Sequence, residues 1–215
     1  ASAPVASRLT PDPNHRRYFY FHASLLLWNA TFGHAYPKAR YWWRLEPDVL
    51  FAGSWSYLVS TAAHDASDLL LPQYYTYAEQ SHYPHWERNA LMLAGVPRDQ
   101  WRYSLVSIGR YSLRFMALMA QKWAAGVSGY EEILLPMACT PPACARSSFY
   151  RLHSAWWRKS RVTANFRYRP DWGCVNFLRA AVTHAAELWH PVKSRACWAQ
   201  YLDSCNASGC SQRVP

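Results

Sequence analysis

The chain has 215 residues, of which 51% are hydrophobic, and carries a formal net charge of +10. That length supports one sizeable core and leaves too little for two full domains. No apolar run approaches the ~18 residues a membrane-spanning helix needs, and the opening ASAPVASRLTPDPNHRR lacks the apolar middle of a signal peptide, so the expectation is a soluble chain with no transmembrane segment.

The sequence divides into an irregular lead (1–17), an α/β domain (18–193) and a cysteine-containing tail (194–215). Within RRYFYFHASLLLWNATFGHAYP, the residues Phe21, Leu25, Trp28, Phe32 and Ala35 recur at the helical period and Pro37 closes the run. RYWWRL then has the bulk of a strand, interrupted by EPDV. DASDLLLPQYYTY predicts a short buried strand entering an aromatic loop, continued by SHYPHW. WERNALMLAG predicts a short helix with Gly95 as its C-terminal cap. WRYSLVSIGRYS predicts a strand, and SLRFMALMAQKWAAG a deeply buried helix, apolar on most of its surface, that ends at Gly126. A last helix over DWGCVNFLRAAVTHAAELW would present Val175, Leu178, Val182, Ala185 and Trp189 as one stripe, before a disulfide-tied tail. Helices feeding strands give the fold class: a single α/β domain with a mixed central sheet flanked by helices.

All six cysteines, Cys139, Cys144, Cys174, Cys197, Cys205 and Cys210, lie in the second half, and two N-x-S/T acceptors occur at Asn29 and Asn206. The even count fits disulfides and an oxidising compartment, the secretory lumen (endoplasmic reticulum or Golgi) or the extracellular space. Zinc is the competing reading, weakened by the absence of a C-x-x-C pair. Positive charge suits an anionic partner, whether nucleic acid, membrane surface or phosphorylated small molecule. It concentrates in WWRKSRVTANFRYRP, where Arg158, Lys159, Arg161, Arg167 and Arg169 form either a solvated face or an anion site.

Two carboxylates, Glu46 and Asp48, follow directly on the YWWRL strand. Residues i and i+2 of an extended chain point to the same side, so these acids can converge just past the strand's end, where open α/β sheets bind ligands. Hard oxygen donors there suit Mg²⁺ or Mn²⁺ on a diphosphate.

RYWWRLEPDVLFAGSW, with DASDLLLP, YSLRFMALMAQKW, SGYEEILLP and WHPVK at successive intervals, resembles eukaryotic glycosyltransferases of the GT-A fold, over roughly residues 18–193. The resemblance implies a D-x-D-type motif, here Glu46-Pro47-Asp48, holding Mn²⁺ or Mg²⁺ and the diphosphate of a nucleotide-sugar donor, with His190 as a further metal ligand. It implies Glu132 as the base that deprotonates the hydroxyl of a glycan or glycoprotein acceptor, with Glu131 as its rival. Both glutamates also suit a helix start, where carboxylates favour the dipole, and His190 a helix terminus. Tyr83, His85 and Trp86 stand as an acceptor-facing aromatic surface or as packing. The family usually places a nucleotide-binding half before the acidic motif, and only 45 residues precede Glu46, so the expectation is a GT-A-like domain lacking much of that half. A non-catalytic carbohydrate-binding or scaffold module of the same ancestry is the alternative. A basic aromatic nucleic-acid binder is a third, disfavoured by dispersed cations and the lack of a nucleic-acid motif.

Overall fold

The structure, a computed structural model, describes residues 21–153, 166, 170–183 and 187–208. Arg158, Lys159, Arg161, Arg167, Arg169, Ala185, Cys210 and the lead 1–17 lie outside the described residues.

In chain order the elements are α1 (Phe21–Phe32), β1 (Tyr41–Leu45), β2 (Leu50–Phe51), α2 (Trp55–Ala63), β3 (Leu69–Leu71), β4 (Tyr75–Thr76), α3 (Ala90–Leu93), β5 (Arg102–Tyr103), β6 (Ile108–Ser112), α4 (Leu113–Ala124), α5 (Glu131–Ala138), β7 (Arg146–Ser148), α6 (Phe149–Leu152), α7 (Cys174–Thr183), β8 (Leu188–Trp189) and α8 (Arg195–Ser208). The chain is mixed α/β, with a four-stranded sheet in the order β1-β6-β3-β7 and two-stranded pairings β2-β8 and β4-β5. It divides into two compact units interleaved in sequence: residues 1–43, 67–106 and 110–146, and residues 44–66, 107–109 and 147–215.

In the first unit β3 pairs antiparallel with β6, Leu69 opposite Tyr111 and Leu70 opposite Arg110. Leu69 and Leu71 join Tyr111, Phe115, Met116, Met119, Leu134 and Leu135 in one apolar core. Ser112 starts α4 by accepting the Phe115 N–H at 3.0 Å, which satisfies one of the donors a helix N-terminus leaves open. The deep burial expected for α4 holds on one face only. Phe115, Met116 and Met119 are buried while Leu113, Arg114, Ala117 and Gln121 face solvent, because Arg114 and Gln121 cannot be taken from water cheaply. Gly95 and Gly126 follow α3 and α4 with φ of 77° and 79°, the left-handed conformation that favours glycine after a helix. In α1, Leu25 and Leu26 pack on the core and Trp28 meets Trp42 edge-on at 4.7 Å, whereas Phe32 is exposed, so the predicted stripe is only half used.

Helix α5 contains Pro136, which has no N–H to give to the carbonyl of Glu132. That carbonyl instead accepts the Ser104 N–H at 2.9 Å, so the proline ties the start of α5 to the chain leaving β5. Cys139 and Cys144 close a disulfide across the loop that follows.

In the second unit β2 and β8 pair antiparallel, Leu50 opposite Trp189 and Phe51 opposite Leu188. Leu50, Trp189, Phe177, Ala181, Val192 and Tyr201 form the core, and the Cys174–Cys197 disulfide joins α7 to α8. The helix expected to run on to Trp189 does not: α7 is described to Thr183, and Trp189 lies on β8. Val175, expected inside, is 68% exposed, since α7 buries Phe177 and Ala181 instead. The disulfide and the β2 partner decide both points, and neither is visible as a local period. Residues 195–208 of the segment expected to form the tail are helix α8, whose Cys197 and Tyr201 are buried in this core.

Candidate functional site

Strand β1 ends at Leu45, and the chain turns at once: Val49 N–H donates to Glu46 O at 3.1 Å. The turn is anchored on both sides, Glu46 N–H donating to Ser107 O at 2.7 Å and Val192 N–H to Asp48 O at 2.9 Å. With Leu50 set opposite Trp189, the residue that follows β8, His190, falls beside the acidic turn. Its Nε2 lies 3.5 Å from Glu46 Oε2, 3.6 Å from Asp48 Oδ1 and 3.1 Å from Ser107 Oγ. The ligand atoms of Glu46, Asp48 and His190 all fall within 4.8 Å of one another. His190 is 5% exposed and packs its ring on Phe166 at 5.1 Å, while both carboxylates keep partial access to solvent.

Arg44, buried, donates from Nη2 to Glu46 Oε1 at 3.1 Å. Burial pushes the Glu46 carboxyl up, but its hydrogen bond with His190, the Arg44 charge and a hydrogen bond with Ser107 outweigh it and hold the group below the ordinary carboxylate range. Glu46 is therefore an anion at neutral pH, as a metal ligand must be. Two ligands of one ion bonded at ~2.0–2.6 Å stand no more than about 5 Å apart, and this trio meets that condition. The residues present thus fit a hard divalent cation.

Sequence reasoning overlooked Arg44 and Ser107 as parts of this cluster. Arg44 was legible: a cation inside YWWRL, two residues before Glu46 and so on the same side of the chain, calls for an acidic partner. Ser107 carried no such signal.

Glu131 and Glu132 open α5 in the first unit and are both buried, Glu132 at 7% exposure. Tyr83 donates its hydroxyl to Glu132 Oε2 through a short hydrogen bond. The Tyr83 ring stacks on Tyr103 at 3.9 Å and 7°, and Tyr103 on Tyr75 at 5.0 Å, a ladder created by the β4-β5 register that sets Tyr75 opposite Tyr103. Burial, and then the Glu132 charge, push the Tyr83 hydroxyl far above the ordinary phenol range, so it remains a donor.

His85 stacks on Tyr130 at 4.1 Å. Trp86 is a core residue: it is buried in an aromatic cluster with Tyr103 and Trp101, and its indole N–H donates to Gln80 O at 2.9 Å. Of the three aromatic side chains expected to face an acceptor, Trp86 is the one whose burial leaves no open face, whereas Tyr83 and His85 are half-buried.

Asn29 Oδ1 accepts the Trp42 indole N–H at 2.8 Å, so this sequon residue braces α1 against the chain after it. Asn206 and Cys205 fall in the last turns of α8, of which the backbone is described. Among the described residues no helix is long and apolar enough to cross a membrane. Compared with protein-family models, with curated proteins and with solved structures, the chain matches none.

Proposed function

We propose that this chain is a metal-dependent glycosyltransferase-like domain that moves a sugar from a nucleotide-sugar donor to a hydroxyl of a glycan or glycoprotein acceptor. The observation that carries the reading is the convergence of Glu46, Asp48 and His190 within 4.8 Å at the end of β1. The side-chain charges also support it: two carboxylates and the Arg44 guanidinium sum to −1, and a divalent cation brings the cluster to +1, which suits an anionic diphosphate. Mn²⁺ or Mg²⁺, when bound, supplies Lewis-acid stabilisation of the leaving nucleotide diphosphate.

In the transfer, the acceptor oxygen forms a bond to the anomeric carbon as the bond from that carbon to the diphosphate oxygen breaks. The acceptor proton passes to a carboxylate, and the resemblance to GT-A enzymes assigns that task to Glu132, with Tyr83 and His85 on the acceptor side. Arg158, Lys159, Arg167 and Arg169 are assigned to the diphosphate on the strength of their charge. The two disulfides suit a lumenal or extracellular setting.

The test is release of nucleotide diphosphate from a panel of nucleotide sugars with Mn²⁺ present. Turnover is expected from the wild type and a loss of about 100-fold or more in D48N. Turnover equal in the two proteins defeats the assignment.

A further inference from the structure

Ser107 stands just before β6, is 4% exposed, and meets the centre through its carbonyl and its hydroxyl. Its carbonyl accepts the Glu46 N–H at 2.7 Å, and its Oγ lies 3.1 Å from His190 Nε2. A hydroxyl has one proton and two lone pairs. One lone pair is enough to bind a cation, so Oγ can serve as a ligand while its proton goes to a neighbouring acceptor.

The separations from His190 Nε2 are 3.1 Å to Ser107, 3.5 Å to Glu46 and 3.6 Å to Asp48. Adjacent ligands of an octahedral ion with bonds of ~2.1 Å stand about 3 Å apart. Ser107 Oγ meets that spacing more closely than either carboxylate does. A serine or threonine hydroxyl is an established type of ligand for hard divalent cations, the Mg²⁺ of phosphate-binding loops being one case. We propose that Ser107 Oγ is a ligand of the same cation, which makes the centre a four-side-chain set of Glu46, Asp48, Ser107 and His190; the inference rests on reading that cluster as a divalent-cation site. With three oxygen donors and one nitrogen, the set selects Mn²⁺ or Mg²⁺ over ions that prefer sulfur.

The experiment is a Mn²⁺ titration of the full chain, read by the loss of the free-ion electron paramagnetic resonance signal, for the wild type, S107A and D48N, with Co²⁺ absorption spectra of S107C. S107A is expected to weaken Mn²⁺ binding about tenfold or more at unchanged circular dichroism, and D48N at least as much. Co²⁺-loaded S107C is expected to show a thiolate-to-cobalt charge-transfer band, which a side chain that only braces its neighbours does not produce. That band decides the matter if S107A does not fold. Absence of the band, with S107A binding Mn²⁺ within twofold of the wild type and D48N still impaired, overturns the role of Ser107 and leaves the centre standing. A wild type that binds no Mn²⁺, or a D48N that binds it normally, overturns the centre and the Ser107 assignment together.

Discussion

His190 Nε2 stands 3.6 Å from Asp48 Oδ1 because antiparallel pairing sets Leu50 opposite Trp189, and the Val192 N–H holds the Asp48 carbonyl at 2.9 Å. The strand ladder positions the cluster, so metal and fold should be thermodynamically linked. A cation bound only by the folded chain adds about 2.7 kcal/mol at 100 times its Kd. Thermal unfolding followed with Mn²⁺ and with a chelator should show that increment in the wild type. D48N should lack it while unfolding near the wild-type temperature in the chelator. H190A should lack it and also unfold earlier, having lost a buried ring.

The Tyr83 hydroxyl is the partner of a buried carboxylate. Y83F keeps the ring stacked on Tyr103 but leaves Glu132 short of a donor, and should cost about 1–3 kcal/mol in urea unfolding. Y83A, which also loses the stack, should cost more. If Glu132 takes the acceptor proton, Y83F should lower kcat with little change in KM.

Asp68 accepts from the Ser112 hydroxyl at 2.8 Å and the Ala145 N–H at 2.9 Å, and it pairs with Arg114. Its hydrogen bond to Arg114 leads the effects that, against the cost of burial, hold its pKa at about 2, below the ordinary aspartate value. A carboxyl with a lower pKa folded than unfolded takes up its proton first in the unfolded chain as the pH falls. Its stabilisation is therefore complete above pH ~4 and lost as the pH falls toward about 2. Acid unfolding curves of D68N should lack that component. At neutral pH, D68N should be destabilised by about 2 kcal/mol. R114A should show a smaller loss, because its guanidinium is largely solvated.

The Cys174–Cys197 disulfide spans 23 positions and Cys139–Cys144 spans 5. Loop-closure entropy assigns roughly 3 kcal/mol to the longer link and roughly 2 to the shorter. Tryptophan fluorescence during denaturation of C174S/C197S and C139S/C144S should show both proteins weakened, the first more than the second.

Much of the local structure was legible in the sequence. The strand nature of YWWRL, the turn at EPDV, the glycines after α3 and α4 and the acidic opening of α5 are near-neighbour effects, written in bulk, period and turn chemistry. The i, i+2 relation of Glu46 and Asp48 belongs to the same class, and so does the demand of Arg44 for an acid beside it.

Tertiary structure decided what depends on register and rotation between distant segments. Val175 lies outside and Phe177 inside because a disulfide to α8 and the Leu50–Trp189 pairing set how α7 turns, and no period within the helix contains that information. Tyr83 meets Glu132 where its ring stacks on Tyr103, the residue that the β4-β5 register sets opposite Tyr75, and where the Glu132 carbonyl left open by Pro136 takes the Ser104 N–H. Ser107, a small polar residue just before β6, gained its place beside His190 and Glu46 from the packing of three chain segments. A hydroxyl has no charge or period to announce such a role, only the distance at which the folded chain leaves it.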